Sequence, residues 1–545
     1  MDYSHALKLL ISGQVADDEA TLTKYSRDAS LFKVVPKCVV FPKSANDIGK
    51  IVSYVAEHKQ EDPALSITAR AAGSCMAGGS LNESIILDIT KHMAGIKSWS
   101  ENSAVVLPGT MYRDFEKESL ARGLFLPCFP ASKNLCAFGG MIGNNCAGEK
   151  TLRYGKMEKY VRKLKMVFAD GVEREIKPLS RDELEAKKGQ NDFEGKIYRK
   201  LDDLLTQNTD LIEKARPNVS KNSAGYYLWN IKQNGVFDLN KLIVGSQGTL
   251  GIVTEAEIGL VKPAVKSKML VIFLKHLNSL GEIVNEILKE NPETLESYDD
   301  NTLKFAIRFL PDLARAMRAR NFIWMTISFI PEVLMSLRGG LPKLVMLAEF
   351  TGDNDEELKR KTQRMRQSLK KFHFAMRITH SILEEEKYLT IRRESFNLLR
   401  KHVRGKRTAP FIDDVVVRPE FLPEFLPKLR AILDKHKLLY TIAGHAGNGN
   451  FHVIPLMDMH DKRNKEIILP ISKEVYSLVH QYGGSITAEH NDGIIRTPFL
   501  PMMYGEEVVK LFEKVKKIFD PQNIFNPGKK VGGSFEYLEN HVAVE

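Results

Sequence analysis

The chain has 545 residues, of which 43% are apolar and 27% are charged. These values are ordinary for a globular protein, and they exclude collagen-like, mucin-like and wholly disordered classes. The 79 basic residues exceed the 68 acidic residues by 11, which permits an anionic substrate, an acidic protein partner or an anionic membrane surface. No long basic block stands out, so no nucleic acid partner is predicted.

The five cysteines favour a reducing compartment. Their number is odd and no two have the C-x-x-C spacing, which argues against a disulfide framework and an iron–sulfur cluster. The first 20 residues lack the basic start and the long apolar stretch of a signal peptide. We therefore expect a cytoplasmic protein, with peripheral association at the inner face of the membrane as an alternative.

The most apolar segment, residues 321–337, is short for a membrane span and is interrupted by Pro331 and Glu332. We expect buried helices of a cap domain in this segment. The alternative is a patch that docks on a membrane or on a partner.

In chain order, the predicted elements form two parts that meet near Pro263. Before Pro263, short strands and amphipathic helices alternate with Gly-rich loops, and Asp170-Gly171 marks the turn of a hairpin. Residues 182–233 are predicted to be helical, and residues 241–261 to be two strands around a Gly-rich turn. After Pro263, two β–α–β units predict a sheet layered with helices, and a helix and tail follow.

Two Gly-rich segments resemble nucleotide-binding loops without matching them. Residues 143–151 nearly form the phosphate loop of nucleoside triphosphatases, but Glu149 is an extra residue before Lys150 and no clear strand precedes the loop. Residues 245–251 read GxxGxxG and lead into a strand instead of a helix. A doubly wound dinucleotide fold is therefore not predicted.

Residues 70–80 are the more informative loop. A strand leads into them, and Gly73, Gly78 and Gly79 let the backbone approach a ligand closely. Successive amides in such a turn suit a pyrophosphate, although a Gly-rich hairpin explains the same pattern. A second segment of small residues and amides, residues 127–156, suits a flat ring with a phosphate tail.

The motif GHAGNGNFH places His445 and His452 on either side of a tight Gly-rich turn. On the two arms of a hairpin these imidazoles can converge on one face, and Glu489 can supply a third ligand. Two imidazoles and a carboxylate suit a catalytic divalent cation such as Zn²⁺. Two histidines near a turn are also often structural.

The chain resembles FAD-linked oxidoreductases of the vanillyl-alcohol oxidase/p-cresol methylhydroxylase superfamily, in the branch of the D-lactate, glycolate and D-2-hydroxyglutarate dehydrogenases. The resemblance is carried by residues 70–80, 127–156, 242–255 and 444–452, by EH at 489–490 and by FNPGK at 525–529. It implies an α+β fold with an FAD-binding domain of the p-cresol methylhydroxylase type, made of two α+β subdomains. It also implies a cap domain with an antiparallel sheet covered by helices.

The implied domains are an FAD-binding domain at 1–263, a substrate or cap domain with the metal site at 264–505, and a C-terminal helix and tail at 506–545 that return to the FAD-binding domain. The FAD is expected to be non-covalent, because Ser74 stands where some relatives attach the flavin through His; attachment through Cys75 is the alternative. The resemblance assigns FAD contacts to Arg70, Gly73, Ser74, Gly78, Gly79, Pro130, Ser132, Gly139, Gly140, Asn144, Asn145, Gly148, Tyr154, Gly155, Gly248, Ile252 and Asn526.

In the resembled branch, the metal ligands are the residues that correspond to His445, His452 and Glu489. The resemblance also implies that His490 takes the proton of the substrate hydroxyl, and that the Cα hydride passes to the flavin. Arg393, in RRES, is the expected partner of the substrate carboxylate.

Departures from the branch favour D-lactate as the substrate. Ile412 and Ile454 stand where the hydroxyglutarate enzymes have a Lys and a polar residue, although an Arg within 404–418 or Arg496 could compensate. The usual EHG is here EHND, with Asn491 and Asp492 beside the expected site.

Three alternatives remain open at this point. The protein could be a glycolate or D-2-hydroxyglutarate dehydrogenase, an oxidase that reduces O₂, or a subunit of a larger respiratory complex with an iron–sulfur partner. The chain ends soon after the FNPGK segment, so we expect electrons to leave through a separate carrier. A quinone, an electron-transfer flavoprotein or an iron–sulfur protein would fill that role.

Overall fold

The structure, a computed structural model, describes residues 3–309, 312, 315, 340–402 and 405–543. The helices predicted within 321–337 lie outside these residues. The described chain combines helices with four β-sheets, and the α+β class predicted from the sequence is confirmed.

The first part of the chain holds a four-stranded sheet and a five-stranded sheet. The strands of the four-stranded sheet, in order across it, are Gln14–Ala16, Cys38–Phe41, Ile85–Asp88 and Ile67–Arg70. Those of the five-stranded sheet are Ile96–Ser100, Ser103–Val106, Ile252–Gly259, Val161–Val167 and Glu173–Ile176. A small ribbon pairs Lys232–Gln233 with Val236–Phe237.

The sequence explains why the two sheets differ. Cys38–Phe41 and Ile85–Asp88 pair in parallel, and every residue of both strands is buried. Nearly continuous apolar runs are typical of parallel strands that are covered on both faces. Ile252–Gly259 instead alternates buried with half-buried residues over most of its length, as an antiparallel strand with one face on a core does.

The prediction of two strands within residues 241–261 is wrong for the first of them. Asn240–Ile243 is a short helix, and the Asp238 carboxylate accepts a hydrogen bond from the Asn240 amide at 3.0 Å where this turn begins. A local side-chain-to-backbone bond of this kind competes with strand pairing. The second predicted strand is present as Ile252–Gly259.

The second part is built on a larger antiparallel sheet. Its strands, in order across the sheet, are Ala375–Ile378, Lys266–Leu274, Leu344–Gly352, Thr294–Asp299, Leu439–His445, Asn450–Met457 and Arg407–Thr408, with Val415–Val416 also paired to Asn450–Met457. Leu439–His445 and Asn450–Met457 form a hairpin in which Ala443 lies opposite His452. Gly449 closes its turn at φ +68°, where a Cβ would meet the Val417 carbonyl oxygen.

Helices cover the sheets. In the first part they are Tyr3–Leu10, Glu19–Tyr25, Ala45–His58, Tyr112–Ala121, Phe138–Asn144, Thr151–Tyr154, Arg181–Lys188, Phe193–Gln207, Thr209–Ala215 and Asn240–Ile243. In the second part they are Leu280–Leu288, Asp300–Arg308, Asp355–Leu369, Ile382–His402, Leu422–Lys435, Lys462–Glu466, Ile468–Gln481, Gly493–Arg496 and Leu500–Tyr504. Glu506–Phe519 and Phe535–His541 follow near the end of the chain.

The hydrophobic cores tie the two parts together. Phe32 and Leu81 of the first part belong to the same core as the sheet and helices of the second part. Helix Glu506–Phe519 buries Phe512 and Phe519 in the core around the five-stranded sheet. Within the described ranges, none of the helices has the length and apolar composition needed to cross a bilayer.

Candidate active site

A cavity of about 670 Å³ lies between the two parts of the chain. Its walls come from the Gly-rich loops of the first part and from side chains of the large antiparallel sheet and nearby segments in the second part. The predicted cofactor segments and the predicted catalytic residues therefore share one continuous space.

The cavity wall contains more than half of the residues to which the sequence assigns FAD contacts. These are Gly73, Ser74, Gly79, Pro130, Ser132, Gly139, Gly140, Asn144, Gly248 and Ile252. The other predicted residues are not part of the cavity lining; they are Arg70, Gly78, Asn145, Gly148, Tyr154, Gly155 and Asn526.

Two of these residues bind the backbone of other segments through their side chains. The Arg70 guanidinium donates to the carbonyl oxygens of Tyr25 at 3.2 Å and Arg27 at 2.7 Å. The Asn526 amide donates to the carbonyl oxygens of Gly79 at 2.9 Å and Gln247 at 2.7 Å, and so joins two loops of the wall. The acceptors of Asn526 line the cavity, whereas those of Arg70 do not.

The geometry of helix Phe138–Asn144 fits a flat cofactor with a phosphate tail. A Cβ added at Gly140 would come no closer than 3.7 Å to the Ala71 Cβ, and one at Gly143 no closer than 3.8 Å to the Gln247 Cα. Both glycines line the cavity, and a Cβ at either position would reach only ordinary van der Waals contact with the protein.

Replacing Gly140 by Leu should therefore yield folded protein with little bound FAD, because the added side chain enters the cofactor space. The flavin-to-protein absorbance ratio measures occupancy, and thermal unfolding checks the fold. Gly140→Ala is the matched control, since its Cβ reaches only ordinary contact with Ala71. A Gly140→Leu protein with full flavin content would place the cofactor elsewhere.

Gln247 is a cavity residue that the sequence analysis missed. Its side-chain amide donates to Asn144 Oδ1 at 3.1 Å, and its side-chain oxygen accepts from the Gly493 amide at 2.9 Å. It thus links two cofactor loops to the segment that follows His490. The sequence did contain one indication of this role. Gln247 is a polar residue in the Gly-rich turn GSQGTLG, where a side chain has few local partners and is free to bind another segment.

In the cavity wall, His445 and His452 converge as predicted from the hairpin, and Glu489 meets both of them. The His445 Nε2 and the His452 Nε2 lie 3.3 Å and 3.2 Å from the same oxygen, Oε1 of Glu489. His490 stacks on His452 with ring centroids 5.1 Å apart, and it is the more exposed of the two side chains. All four residues line the cavity.

Carboxylates hold the other ring nitrogens. The His445 Nδ1 lies 2.6 Å from Glu296, and the His452 Nδ1 lies 3.1 Å from Asp413 Oδ1. The other oxygen of Asp413 lies 2.8 Å from the His490 Nδ1. A carboxylate on Nδ1 orients an imidazole and leaves its Nε2 as the ligand or base atom, which is the common arrangement of metal-binding histidines.

The electrostatics of this cluster favour additional positive charge. Burial lowers the pKa of His452, but Asp413 and Glu489 outweigh burial and raise that pKa to about 10. Burial also lowers the pKa of His490, and again Asp413 and its neighbour Asp414 outweigh it. A proton or a metal cation could supply the charge that these carboxylates attract.

Asp414 also lies in this cluster, within 4.8 Å of ligand atoms on His452, Glu489 and His490. Its Oδ2 accepts hydrogen bonds from Thr487 and from the backbone amides of residues 488–490, at 2.7 to 2.9 Å. Its Oδ1 accepts from Asn450 at 3.0 Å. Because both oxygens are engaged, Asp414 fits the role of shaping the segment that carries Glu489 and His490, and His445 fits better as the third ligand.

A buried lysine completes the surroundings of Glu489. Lys221, whose side chain is fully buried, lies with its ammonium 3.3 Å from Glu489 Oε2. The other oxygen, Oε1, faces the two imidazoles. This division suits a carboxylate that offers one oxygen to a cation. Nothing in the local sequence around Lys221 indicated this role.

The two neighbouring arginines on helix Ile382–His402 have different environments. Arg392 is buried, with its Nε 2.5 Å from Glu296. The Arg393 side chain is 45% exposed and lines the cavity, and it pairs with Glu149 of the first part. Glu149 had appeared in the sequence only as a misfit in a phosphate loop.

The departures noted in the sequence occupy distinct places. Ile454 lines the cavity, whereas Ile412 is buried in the core.

Asn491 donates to the Gly245 carbonyl at 2.9 Å, and Asp492 lies 2.9 Å from the Lys530 ammonium. Arg496 is buried and donates to backbone carbonyls, including that of Ile486 at 3.1 Å, so it does not face the cavity as a partner for a second carboxylate.

Two family models match the chain. The FAD binding domain model covers residues 36–177, and the model of the C-terminal domain of FAD linked oxidases covers residues 263–530. The chain belongs to the FAD-linked oxidase family. The membership predicted from its motifs is confirmed.

Curated relatives of this family member carry three kinds of name. A D-2-hydroxyglutarate dehydrogenase of Pseudomonas putida is 29% identical over 528 residues, 95% of this chain and 50% of the relative. The glycolate oxidase subunit GlcD of Bacillus subtilis is 29% identical over 524 residues, 94% of this chain and 93% of the relative. A D-lactate dehydrogenase of Anaerostipes hadrus is 24% identical over 521 residues, 91% of this chain and 90% of the relative.

The chain spans half the length of the Pseudomonas putida relative. Among solved structures, p-cresol methylhydroxylase with substrate bound has a TM-score of 0.69 at 16% identity, covering 98% of this chain and 97% of the other. The likeness confirms the predicted fold of the FAD-linked family.

Proposed function

We propose that the protein is an FAD-dependent, metal-assisted dehydrogenase that oxidises a D-2-hydroxy acid, with D-lactate as the substrate, to the 2-oxo acid. One observation carries the proposal: His445, His452, Glu489 and His490 converge in the wall of the cavity that the Gly-rich loops also line. The names of the relatives support the same substrate class.

The proton and the carboxylate of the substrate are handled by this chain's own residues. Arg393 holds the substrate carboxylate through its guanidinium, because planar N–H pairs match a carboxylate. His490 takes the hydroxyl proton at Nε2, since Asp413 engages its Nδ1. Bound FAD would accept the Cα hydride, and a divalent cation on His445, His452 and Glu489 would polarise the hydroxyl oxygen. The alcohol thus loses one proton and one hydride and becomes the ketone.

The cavity favours a small substrate over a dicarboxylic one. Ile454 contributes an apolar wall near the His cluster, and Arg496 is engaged with backbone carbonyls. The second candidate substrate is D-2-hydroxyglutarate, which the name of the Pseudomonas putida relative favours.

Electrons leave to a separate carrier, such as a quinone, an electron-transfer flavoprotein or an iron–sulfur protein.

Metal removal tests the proposal. A chelator should abolish flavin reduction by D-lactate and leave FAD bound, because none of the proposed ligands, His445, His452 and Glu489, belongs to the Gly-rich segments proposed to hold FAD. Elemental analysis measures the metal, and the flavin absorbance measures the cofactor. His452→Ala should reproduce the chelated state, whereas His480→Ala, at an exposed helix position, should not. Full activity in a sample proven free of metal would contradict the metal role.

A further inference from the structure

Glu149 brings a negative charge from the first part of the chain into the wall of the cavity. Its carboxylate accepts two hydrogen bonds from Arg393, from Nε at 3.0 Å and from Nη2 at 2.5 Å. Burial raises the pKa of Glu149, but the Arg393 guanidinium outweighs burial and holds the pKa at about 2. Glu149 is therefore an anion at any pH at which an enzyme of this kind would work.

The ion pair with Glu149 leaves Arg393 only part of its hydrogen-bonding capacity for a ligand. Glu149 occupies the edge formed by Nε and Nη2, and the edge formed by the two terminal nitrogens remains for a ligand. That edge matches one carboxylate in a two-bond arrangement. Because Glu149 already balances the charge of Arg393, the pair has no net charge before a ligand arrives.

Each of the other cations in the cavity wall is also paired with a carboxylate. In the described part of the chain, three Lys or Arg residues line the cavity: Lys133, Arg392 and Arg393. Lys133 lies 2.9 Å from Glu116, and Arg392 lies 2.5 Å from Glu296. A second carboxylate on the substrate would thus face Glu149 without a cation in excess, and like charges side by side disfavour binding.

We propose that Glu149 is a specificity-determining residue, which restricts the cavity to 2-hydroxy acids with a single carboxylate. Its charge rejects a second carboxylate, and its two bonds fix the edge of Arg393 that meets the first. The inference rests on the proposed oxidation of a 2-hydroxy acid and on Arg393 as the partner of its carboxylate.

Glu149→Gln tests the inference, because it removes the charge and keeps the shape of the side chain. Anaerobic flavin reduction would be measured with D-lactate and with D-2-hydroxyglutarate, over a range of concentrations of each. We expect the efficiency on the dicarboxylate relative to D-lactate to rise at least about ten-fold, mainly through tighter binding of the dicarboxylate. Glu149→Asp should retain the discrimination of the wild type.

Glu255→Gln is the matched control, because it removes the carboxylate partner of Lys97, a pair in which neither residue lines the cavity, and should leave the ratio unchanged. An unchanged ratio in Glu149→Gln, with D-lactate still reducing the flavin, would overturn the inference and leave the proposed function standing. A wild-type enzyme that prefers D-2-hydroxyglutarate would overturn it as well. A wild-type flavin that neither acid reduces would overturn the proposed function, and the inference with it.

Discussion

His490→Ala should slow reduction of the flavin by a D-2-hydroxy acid roughly 10²–10⁴-fold, the usual cost of removing a general base. Its metal content should stay near that of the wild type, because His445, His452 and Glu489 remain. Substrate binding should change little, since Arg393 is untouched. Single-turnover kinetics over a range of substrate concentrations measure the rate of flavin reduction and substrate binding. Elemental analysis of the same sample measures the metal content.

Glu489→Ala is the matched variant of the neighbouring residue. It should also lose activity, but by losing metal, because Glu489 Oε1 is the oxygen on which both imidazoles converge. The two variants should therefore separate in metal content while both lose activity. Equal metal loss in His490→Ala would mean that His490 is a ligand and that another group takes the proton.

Asp413→Asn should impair the metal site and the base together. The two Asp413 oxygens face the Nδ1 atoms of His452 and His490, whereas an asparagine offers one acceptor oxygen and one donor group. One imidazole must then lose its partner or change its protonated nitrogen. Loss of such an outer carboxylate typically weakens metal binding about 10–100-fold, and displacement of His490 should add a further loss in the rate of flavin reduction.

Metal titration and single-turnover reduction test this variant. Asp413→Glu should recover part of both properties, because it restores two acceptor oxygens. If Asp413→Asn bound metal and reduced flavin as the wild type does, the shared carboxylate would have no role in positioning either imidazole.

The sequence predicted the parts of the site that have local patterns. His445 and His452 flank a tight Gly-rich turn, and two arms of a hairpin bring such residues together whatever else the fold does. The Gly-rich segments were also recognisable, because glycine density reflects close packing of backbone against a ligand or another chain segment. Glu489 was a candidate third ligand by residue type, and the resemblance strengthened it; the role of His490 came from the resemblance alone.

The residues that were missed depend on contacts between distant segments. Glu296 reaches His445 because strand Thr294–Asp299 pairs with strand Leu439–His445, a pairing of segments far apart in the chain. Lys221 lies in an irregular segment and meets Glu489 across the two parts of the protein. Glu149 meets Arg393 in the same way. Sequence periodicity reports which face of an element is buried, but it does not report which charged residue lies opposite.

Anaerobic mixing of the FAD-loaded protein with a panel of 2-hydroxy acids tests the central claim most directly. D-lactate should bleach the flavin absorbance, L-lactate should not, and the bleaching should disappear in His490→Ala. Glycolate, D-malate and D-2-hydroxyglutarate complete the panel and rank the substrate class. If none of these acids reduced the flavin of a protein proven to hold both FAD and metal, the assignment as a 2-hydroxy acid dehydrogenase would be contradicted.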